Sequence, residues 1–279
     1  MNRNELTELI RALYSADKAN FVRPEDAIRP ELAGMKIFDE PLCGIGAADD
    51  ALFAEYKKPG IIGPWFKTPE EWLPGAKTVV ALFFPFSKEV RHSNRMYADR
   101  PSDPWLHGRI EGQIFLRGFI DSLREALTAR GIAACTPMTD ARFADAQGSK
   151  SIDGYESTEE MYTSNWSERH AAYVCGLGTF GLHKSLITEK GTAGRFTSVI
   201  IDAPLTPDTR DYTGIYDYCI RCGECARRCA GHAITPEMGK DHSACRKWVS
   251  ESSRPFLPRY GCGLCQTGVP CEDRNPSRK

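Results

Sequence analysis

Eight cysteines near the end of the chain are the residues whose type and spacing most clearly indicate chemistry. Four of them form a C-x2-C-x2-C-x3-C run made of Cys219, Cys222, Cys225 and Cys229. The other four follow as Cys245, Cys262, Cys265 and Cys271. In such a run three thiolates converge on one iron–sulfur cubane, while the fourth points away to a second cluster. The pattern therefore predicts an iron–sulfur protein.

The eight cysteines divide evenly between two [4Fe–4S] clusters if they follow the crossed ligation of two-cluster ferredoxins. The first cluster would take Cys219, Cys222, Cys225 and Cys271. The second would take Cys229, Cys245, Cys262 and Cys265. Ala230 stands where the ferredoxin pattern usually has proline, which removes a turn restraint but no ligand. Zinc is the alternative, although zinc sites use two separated C-x2-C pairs rather than four crowded thiolates.

The three remaining cysteines have a different expected role. Cys43, Cys135 and Cys175 lie in the first 218 residues, and each is predicted to be a buried small hydrophobe. The N-terminus lacks the apolar region and cleavage site of an export signal, so a cytoplasmic location is expected. Disulfides are disfavoured in that compartment, which again favours metal ligation for the other eight cysteines.

Composition limits the other classes of function. The 279 residues carry a net charge of −1, from 36 basic and 37 acidic side chains, so no dominant nucleic-acid footprint is visible. No apolar run approaches the roughly 18 residues that a membrane span needs. A protein with neither a nucleic-acid nor a membrane partner is therefore expected.

Periodicity indicates an α+β protein with two domains. Short apolar runs predict strands over 76–86, 132–138 and 196–202. Apolar residues three to four apart predict an N-terminal helix and further helices over 112–131 and 167–178. These elements form a predicted α/β body over 1–205. Residues 206–279 are rich in Cys, Arg, Gly and Pro, as in small domains that depend on a metal centre.

A glycine-rich segment follows the helix predicted over 167–178. Gly176, Gly178 and Gly181 permit close backbone approach to a flat or phosphorylated ligand, and they are predicted to bind a cofactor. His183, Lys184 and Arg195 would supply hydrogen-bond donors to it. The glycines do not lie between a strand and a helix, so they form no dinucleotide fingerprint. The alternative is a tight turn used only for packing.

The order of these motifs resembles one known superfamily. SERHAAYVCGLGTFGLHKSLIT (167–188) followed by CIRCGECARRCAGHAIT (219–235) is similar to the epoxyqueuosine reductases and reductive dehalogenases. The resemblance extends over roughly residues 76–275. It implies a nitroreductase-like α/β body that holds a corrinoid (cobalamin), followed by a ferredoxin-like two-[4Fe-4S] module. In that family the clusters pass electrons singly to cobalt, which reduces an organic substrate.

This sequence departs from the family pattern in several places. The chain ends soon after Cys271, without the helical repeats that bind tRNA, so a small-molecule substrate or a corrinoid protein is the expected partner. A low-potential ferredoxin or flavodoxin is the expected electron donor. The family's acidic proton donor precedes the pair equivalent to Glu168 and Arg169, but here an insertion over 147–165 intervenes.

Asp145 is the nearest candidate for the proton donor. It could donate a proton if burial raised its pKa, and a solvated carboxylate or a partner for Arg142 is the alternative. Glu168 and Arg169 are interpreted as a helix-start carboxylate and a structural ion pair. His107 is interpreted as a cap or surface histidine, and Tyr162 and Tyr173 as packing residues.

Three hypotheses about function follow. The first is an iron–sulfur reductase that delivers electrons to a corrinoid or to a substrate in the body. The second is a ferredoxin-type electron-transfer protein that serves a partner enzyme or corrinoid protein and has no substrate of its own. The third is a flavin-dependent reductase on the same body. No short motif for the body cofactor separates these hypotheses.

Overall fold

The computed structural model describes residues 1–278. Its α-helices are α1 (Arg3–Ala16), α2 (Ala51–Glu55), α3 (Pro69–Trp72), α4 (Lys88–Arg95), α5 (Asp103–Thr128), α6 (Glu168–Val174), α7 (Glu224–Arg227) and α8 (His242–Ser252). Its strands are β1 (Leu42–Ala47), β2 (Thr78–Pro85), β3 (Ala134–Cys135), β4 (Asp145–Ile152), β5 (Tyr155–Ser164), β6 (Gly178–Phe180), β7 (Leu186–Thr188), β8 (Gly194–Ile201), β9 (Ile234–Thr235) and β10 (Gly239–Lys240). The mixture confirms the predicted α+β class.

An antiparallel sheet in the order β1-β2-β8-β3 forms the centre of the body. Every residue of β2 is buried, which explains why its sequence is a continuous apolar run rather than an alternating one. β2 lies within the strand predicted over 76–86, whereas β8 begins two residues before the strand predicted over 196–202 and ends one residue before its end. Phe83 and Phe196 are paired in register, and their ring centroids are 4.6 Å apart.

Each face of the sheet supports an apolar core. On one face Val80, Leu82 and Phe84 join residues of α1 and α5, such as Leu6 and Phe119. On the other face a second core contains aromatic residues before β2, residues of α6, and residues of the cysteine-rich segment. The second core therefore extends across the domain boundary predicted after residue 205, which stays a prediction.

Helix α5 begins earlier than the helix predicted over 112–131. Ser102 caps it by accepting a hydrogen bond from the Trp105 backbone N–H at 3.2 Å, and Pro104 lies in the first turn. Gly108 and Gly112 are inside the helix because a Cβ at either would meet the ring of Phe86 or Phe38 at less than 3.0 Å. These glycines permit close packing against the sheet and do not mark a helix end.

One edge of the sheet is largely unpaired. β3 contains only two residues, which pair with Ile200 and Ile201 of β8. A 3-10 turn at Pro137–Thr139 ends the strand predicted over 132–138. Residues 194–199 of β8 therefore have no partner strand on this side among the residues that the structure describes.

The insertion of the sequence forms the β4–β5 hairpin. α6 follows it and is shorter than the helix predicted over 167–178, because Gly176 leaves the helix with a φ of +79°. β6 and β7 then form a second hairpin. In the described part of the chain no helix has both the length and the apolar character to cross a membrane.

The cysteine-rich segment has little regular structure and is held to the body by polar contacts. Arg95 donates two hydrogen bonds to the buried Glu272 carboxylate, at 2.6 and 2.7 Å. The Tyr212 hydroxyl donates to the Tyr173 carbonyl at 2.6 Å. The segment therefore has a defined position against the sheet and α6.

Candidate functional site

Four of the cysteines line one cavity. The cavity is lined by Cys219, Cys222, Cys225 and Cys271 together with Leu182, His183, Ile187 and Val269. We call these four residues the first thiol quartet. They are the same four that the crossed ligation pattern assigns to one cluster.

Local backbone geometry brings the first quartet together. Arg221 and Gly223 have φ values of +51° and +77°, which turn the chain between the first cysteines and α7. Cys271 comes from some 50 residues later in the sequence. Its carbonyl accepts a hydrogen bond from the Thr192 N–H at 2.9 Å, which ties it to the loop before β8.

The thiols of the first quartet influence each other's ionisation. Burial, together with Cys219 and Cys222, raises the pKa of Cys225 to about 11. Burial and the other three thiols of the quartet also raise the pKa of Cys271. Buried thiols such as Cys225 and Cys271 ionise more readily beside a cation, so a positively charged centre between them would stabilise their thiolate forms.

Cys229, Cys245, Cys262 and Cys265 form the second thiol quartet. Burial raises the pKa of Cys265 to about 12, with Lys240 lowering it and the other three thiols of the quartet raising it further. Cys245 lies on α8, while Cys265 lies in a 3-10 turn that follows Gly263 at a φ of +68°. The Ala233 N–H donates to the Cys229 sulfur at 3.3 Å. Hydrogen bonds of this kind support a thiolate ligand.

Neither a single-ion site nor a disulfide is present among the described residues. No three His, Cys, Asp or Glu side chains within residues 1–278 lie close enough together to bind one metal ion. Zinc needs its four ligands about 2.3 Å from one centre, whereas a cubane separates its four thiolates more widely. None of the eleven cysteines forms a disulfide. Eight free thiols in two groups of four are the donor set that two four-thiolate centres would need.

The other cysteines are set apart from the quartets. Cys135 and Cys175 are buried and Cys43 is half-buried. The Cys175 thiol donates to the Val79 carbonyl at 3.2 Å, and burial raises its pKa well above the ordinary value. These positions match the packing role predicted for them.

His183 lies against the first quartet. Its Nδ1 accepts a hydrogen bond from the Ser185 N–H at 3.0 Å, which leaves the proton on Nε2. Nε2 is 3.6 Å from the Cys271 sulfur. Burial, then Lys240 and Arg169, lower the pKa of His183 to about 3, so the ring is neutral and its N–H can donate to a thiolate.

The glycine-rich segment packs against the protein's own atoms. A Cβ at Gly178 would lie 1.9 Å from the Ile187 carbonyl oxygen, and one at Gly181 would lie 2.7 Å from the His183 ring. These glycines let the β6–β7 hairpin close and let His183 approach the thiols. A Cβ at Gly176 would lie 3.5 Å from its nearest neighbour, the Cβ of Asp208. The φ of Gly176 is +79°, which ends α6. The cofactor contact expected for the three glycines stays a prediction.

Three arginines lie near the unpaired edge of β8. We call Arg109, Arg169 and Arg195 the arginine cluster. Arg195 donates to the Gln113 side-chain oxygen, Arg109 donates to the Tyr260 hydroxyl at 3.1 Å, and Arg169 donates to the Lys184 carbonyl at 2.6 Å. Burial, followed by Arg109 and Arg169, lowers the pKa of Arg195 well below its usual value. Each of the three is half-buried and therefore reachable by solvent.

Glu168 differs from its predicted role. Both of its carboxylate oxygens are buried without a hydrogen bond of normal geometry, and it forms no ion pair with Arg169. The donors beside Glu168 are Trp166 and Ser198, and the Trp166 Nε1–H donates to the Ser198 hydroxyl at 3.0 Å. They lower the pKa of Glu168 by less than burial raises it. Burial raises the pKa of Glu168 to about 7. The interpretation of Glu168 and Arg169 as a structural ion pair is wrong, because Arg169 donates to the Lys184 carbonyl instead and the Glu168 carboxylate has no partner among the described residues.

Asp145 lies at the start of β4 and is exposed. The buried environment that the prediction required is absent there, and the role of Asp145 as proton donor stays a prediction. Arg142 instead pairs with Asp140 at 2.7 Å and, by hydrogen bonding, lowers the pKa of that carboxyl to about 2. The sequence did not distinguish Glu168 from an ordinary helix-start carboxylate, since its burial depends on β8.

Two aromatic residues and one histidine can also be placed. Tyr173 is buried beside Tyr212, with ring centroids 5.0 Å apart, in agreement with a packing role. Tyr162 is half-buried at 6.2 Å from the His242 ring of α8. The surface or cap position expected for His107 is wrong. It is fully buried inside α5, where its Nε2 accepts from the Ile28 N–H at 3.1 Å.

Comparison with solved structures defines the fold. One epoxyqueuosine reductase superposes with a TM-score of 0.55 and 18% identity, covering 97% of this chain and 65% of the other. An epoxyqueuosine reductase from Bacillus subtilis gives 0.52 and 18%, covering 96% and 66%. A catabolic reductive dehalogenase bound to 3-bromo-4-hydroxybenzoic acid gives 0.51 and 16%, covering 84% and 30%.

This chain has the epoxyqueuosine reductase fold. The superfamily resemblance inferred from the motifs is thereby confirmed at the level of fold. The chain spans about two thirds of the length of the epoxyqueuosine reductases that it matches. No known family's sequence profile matches it, and no curated protein does.

Proposed function

We propose that the protein is an iron–sulfur oxidoreductase of the epoxyqueuosine reductase type. Each thiol quartet holds one [4Fe–4S] cluster, and the pair passes electrons singly to a cofactor or substrate held by the body. The observation that carries this proposal is the division of eight cysteines into two separate quartets, one of which lines its own cavity. Paired clusters of this kind transfer electrons rather than bind substrates.

Electrons enter through the first quartet. Cys222 is exposed, and its neighbours Arg221 and Arg227 are exposed as well. These cations suit an acidic donor such as ferredoxin or flavodoxin. Arg228 has a different role, because it donates to the Leu264 and Tyr97 carbonyls at 3.1 and 3.2 Å and so fastens the segment.

The cofactor of the body is a corrinoid, as the fold neighbours suggest. One solved reductive dehalogenase of the same fold is described as supporting a B12-dependent dehalogenation mechanism. A corrinoid would supply a strongly reducing cobalt centre. Arg195 and Lys184 are half-buried donors that could bind its polar groups. The space beside the Cα atoms of Gly178 and Gly181 is filled by other atoms of the protein. These two glycines would therefore affect the shape of the corrinoid site without contacting the corrinoid.

Glu168 is the better placed proton donor. A pKa of about 7 keeps about half of the Glu168 carboxyl groups protonated near neutral pH, as a general acid requires. Asp145 is exposed and would need a rearrangement of the β4–β5 hairpin to become buried. The reduction consumes protons as well as electrons, and Glu168 would supply one of them.

The test is an anaerobic preparation assayed for iron, sulfide and cobalt, with its UV–visible and EPR spectra. About eight irons per chain with cubane EPR signals support the proposal. Cobalt with corrinoid absorption bands, or uptake of added cobalamin, supports the corrinoid assignment. Eight irons with no uptake of any body cofactor or substrate would favour the electron-transfer alternative. Zinc in place of iron would overturn the whole proposal.

A further inference from the structure

We propose that the arginine cluster binds an anionic group, a carboxylate or a phosphate, between Arg109, Arg169 and Arg195. This inference rests on the proposed function, because it names the class of group that the body recognises beside its redox centre. Nothing in the comparisons assigns a role to these three side chains.

Three separate elements bring the guanidiniums together. Arg195 lies on the unpaired edge of β8, and Arg109 lies on α5 one turn before Gln113, which binds Arg195. Arg169 is in the first turn of α6. Because β3 is so short, no strand covers the edge of β8 at this point. Arg195 is the one residue of β8 that is half-buried, while the other residues of this strand are buried.

The polar contacts of the cluster use only neutral partners. Arg195 donates to an amide oxygen, Arg169 to a backbone carbonyl, and Arg109 to the phenol of Tyr260, on whose ring it also stacks at 4.6 Å. Within residues 1–278 no carboxylate lies within 4.0 Å of any of the three guanidinium groups. Most other buried cations of the protein do have one, as Arg259 does with Glu111 at 2.6 Å.

The surroundings add further positive charge. The pKa of His242 is lowered to about 4, first by burial and then by the nearby cations Lys240, Lys184 and Arg169. Uncompensated charges of one sign in a partly desolvated site destabilise the folded protein. A site of this kind is explained if an anion completes it.

The geometry of guanidinium defines the class of ligand. Its planar donors match carboxylate and phosphate oxygens in pairs, and three such groups suit one di-oxygen or tri-oxygen anion. Two sources can offer this chemistry. One is a carboxylate or phosphate on the substrate, and the other is the phosphodiester in the nucleotide tail of a complete corrinoid.

The first experiment measures binding of inorganic phosphate and of benzoate to the anaerobic holoprotein by calorimetry, at constant ionic strength. Arg195→Gln is compared with Arg117→Gln, whose arginine is exposed on the same α5 helix as Arg109. We expect Arg195→Gln to weaken anion binding by about tenfold or more, as for the loss of charge-assisted hydrogen bonds. Arg195→Lys should recover part of it. Equal affinities in Arg195→Gln and Arg117→Gln would overturn the proposal.

A second readout separates a binding role from a structural one. Without added anion, Arg195→Gln should raise the melting temperature of the holoprotein by about 2–4 °C, because it removes one of three mutually repelling cations. With saturating phosphate the order should reverse, since only the original protein gains from the ligand. A lower melting temperature for Arg195→Gln in both conditions would indicate a structural arginine and contradict the proposal.

Two corrinoids distinguish the sources of the anion. If the phosphodiester is the ligand, Arg195→Gln should weaken binding of cobalamin but not of cobinamide, which lacks the nucleotide tail. If the substrate carries the anion, both corrinoids should bind equally to the variant. Both outcomes require that the holoprotein binds inorganic phosphate in the calorimetric experiment. Because phosphate binding is measured without turnover, it can succeed where reductase activity fails, and the two proposals are tested independently.

Discussion

The thiol quartets and the arginine cluster are opposite in charge and in construction. The quartets collect eight groups that become anionic on a segment with short helices and many turns. The arginine cluster collects cations on a buried sheet and two helices. A segment without its own apolar core depends on its ligands for stability, whereas a site on a packed scaffold is stable before its ligand arrives. The two regions should therefore respond differently to the same perturbation.

The largest expected effect is on the quartets. Cys225→Ser should lower the iron content from about eight to about four per chain, because one cubane loses a ligand while the other keeps all four. Amide hydrogen exchange should rise in residues 219–235 and remain slow in β2 and β8. Cys135→Ser is the matched control, since Cys135 is buried but belongs to neither quartet, and it should keep all its iron. Complete loss of iron in Cys225→Ser would show that the clusters are not independent.

The next effect concerns Glu168 on the body side. Its pKa is raised from 4.5 in the unfolded chain to about 7, so the folded state holds the proton more tightly. The free energy of unfolding should therefore fall as pH rises from about 4.5 to about 7, by roughly 3–4 kcal/mol at most. Glu168→Gln should remove this slope, which denaturant unfolding at pH 5 and pH 8 would measure.

Activity gives a second measure of Glu168. If it donates the proton, Glu168→Gln should lower kcat by about 10²-fold or more with little change in KM. Glu159→Gln changes an exposed carboxylate on the β4–β5 hairpin and should alter neither the slope nor kcat. An unchanged kcat in Glu168→Gln would mean that Glu168 is not the proton donor, and Asp145 would then be the preferred candidate for that role.

A smaller effect is expected where the body contacts the quartets. His183→Phe removes the N–H that faces the Cys271 sulfur at 3.6 Å. Loss of one such hydrogen bond, worth roughly 1 kcal/mol, should lower the midpoint potential of the first cluster by about 40 mV. An EPR-monitored redox titration of the whole protein would measure it. His92→Phe changes an exposed histidine on α4, and it should leave both potentials as they were.

The smallest effect concerns the outer surface of the first quartet. Arg221→Gln should raise the KM for an acidic ferredoxin or flavodoxin by a few-fold at low salt, because one exposed cation near Cys222 is lost. The difference should vanish at high ionic strength, where such steering is screened. A salt-independent difference would mean that Arg221 acts through the loop, in which its φ is +51°.

Elements with a local signal were predictable from the sequence. The buried strand β2 is a continuous apolar run, and the prediction over 76–86 located it within two residues. The start of α5 was predicted nine residues late, because the apolar spacing that predicted the helix began at Ile114, whereas Gly112 lies inside the helix where it packs tightly on Phe38. β3 was predicted too long, since the pairing that would extend it depends on a distant strand.

The sequence by itself determined the two thiol quartets. Ligand spacing within a few residues specifies which thiols can converge, and counting to eight completes the assignment. Only the tertiary structure decided the charge and burial of the body site. Arg109, Arg169 and Arg195 are separated by 26 to 86 positions in the chain, and no pattern of spacing relates them. Their proximity and the unpartnered carboxylate of Glu168 follow from the packing of α5 and α6 on either side of one unpaired strand edge, because burial and charge partners are properties of the folded chain.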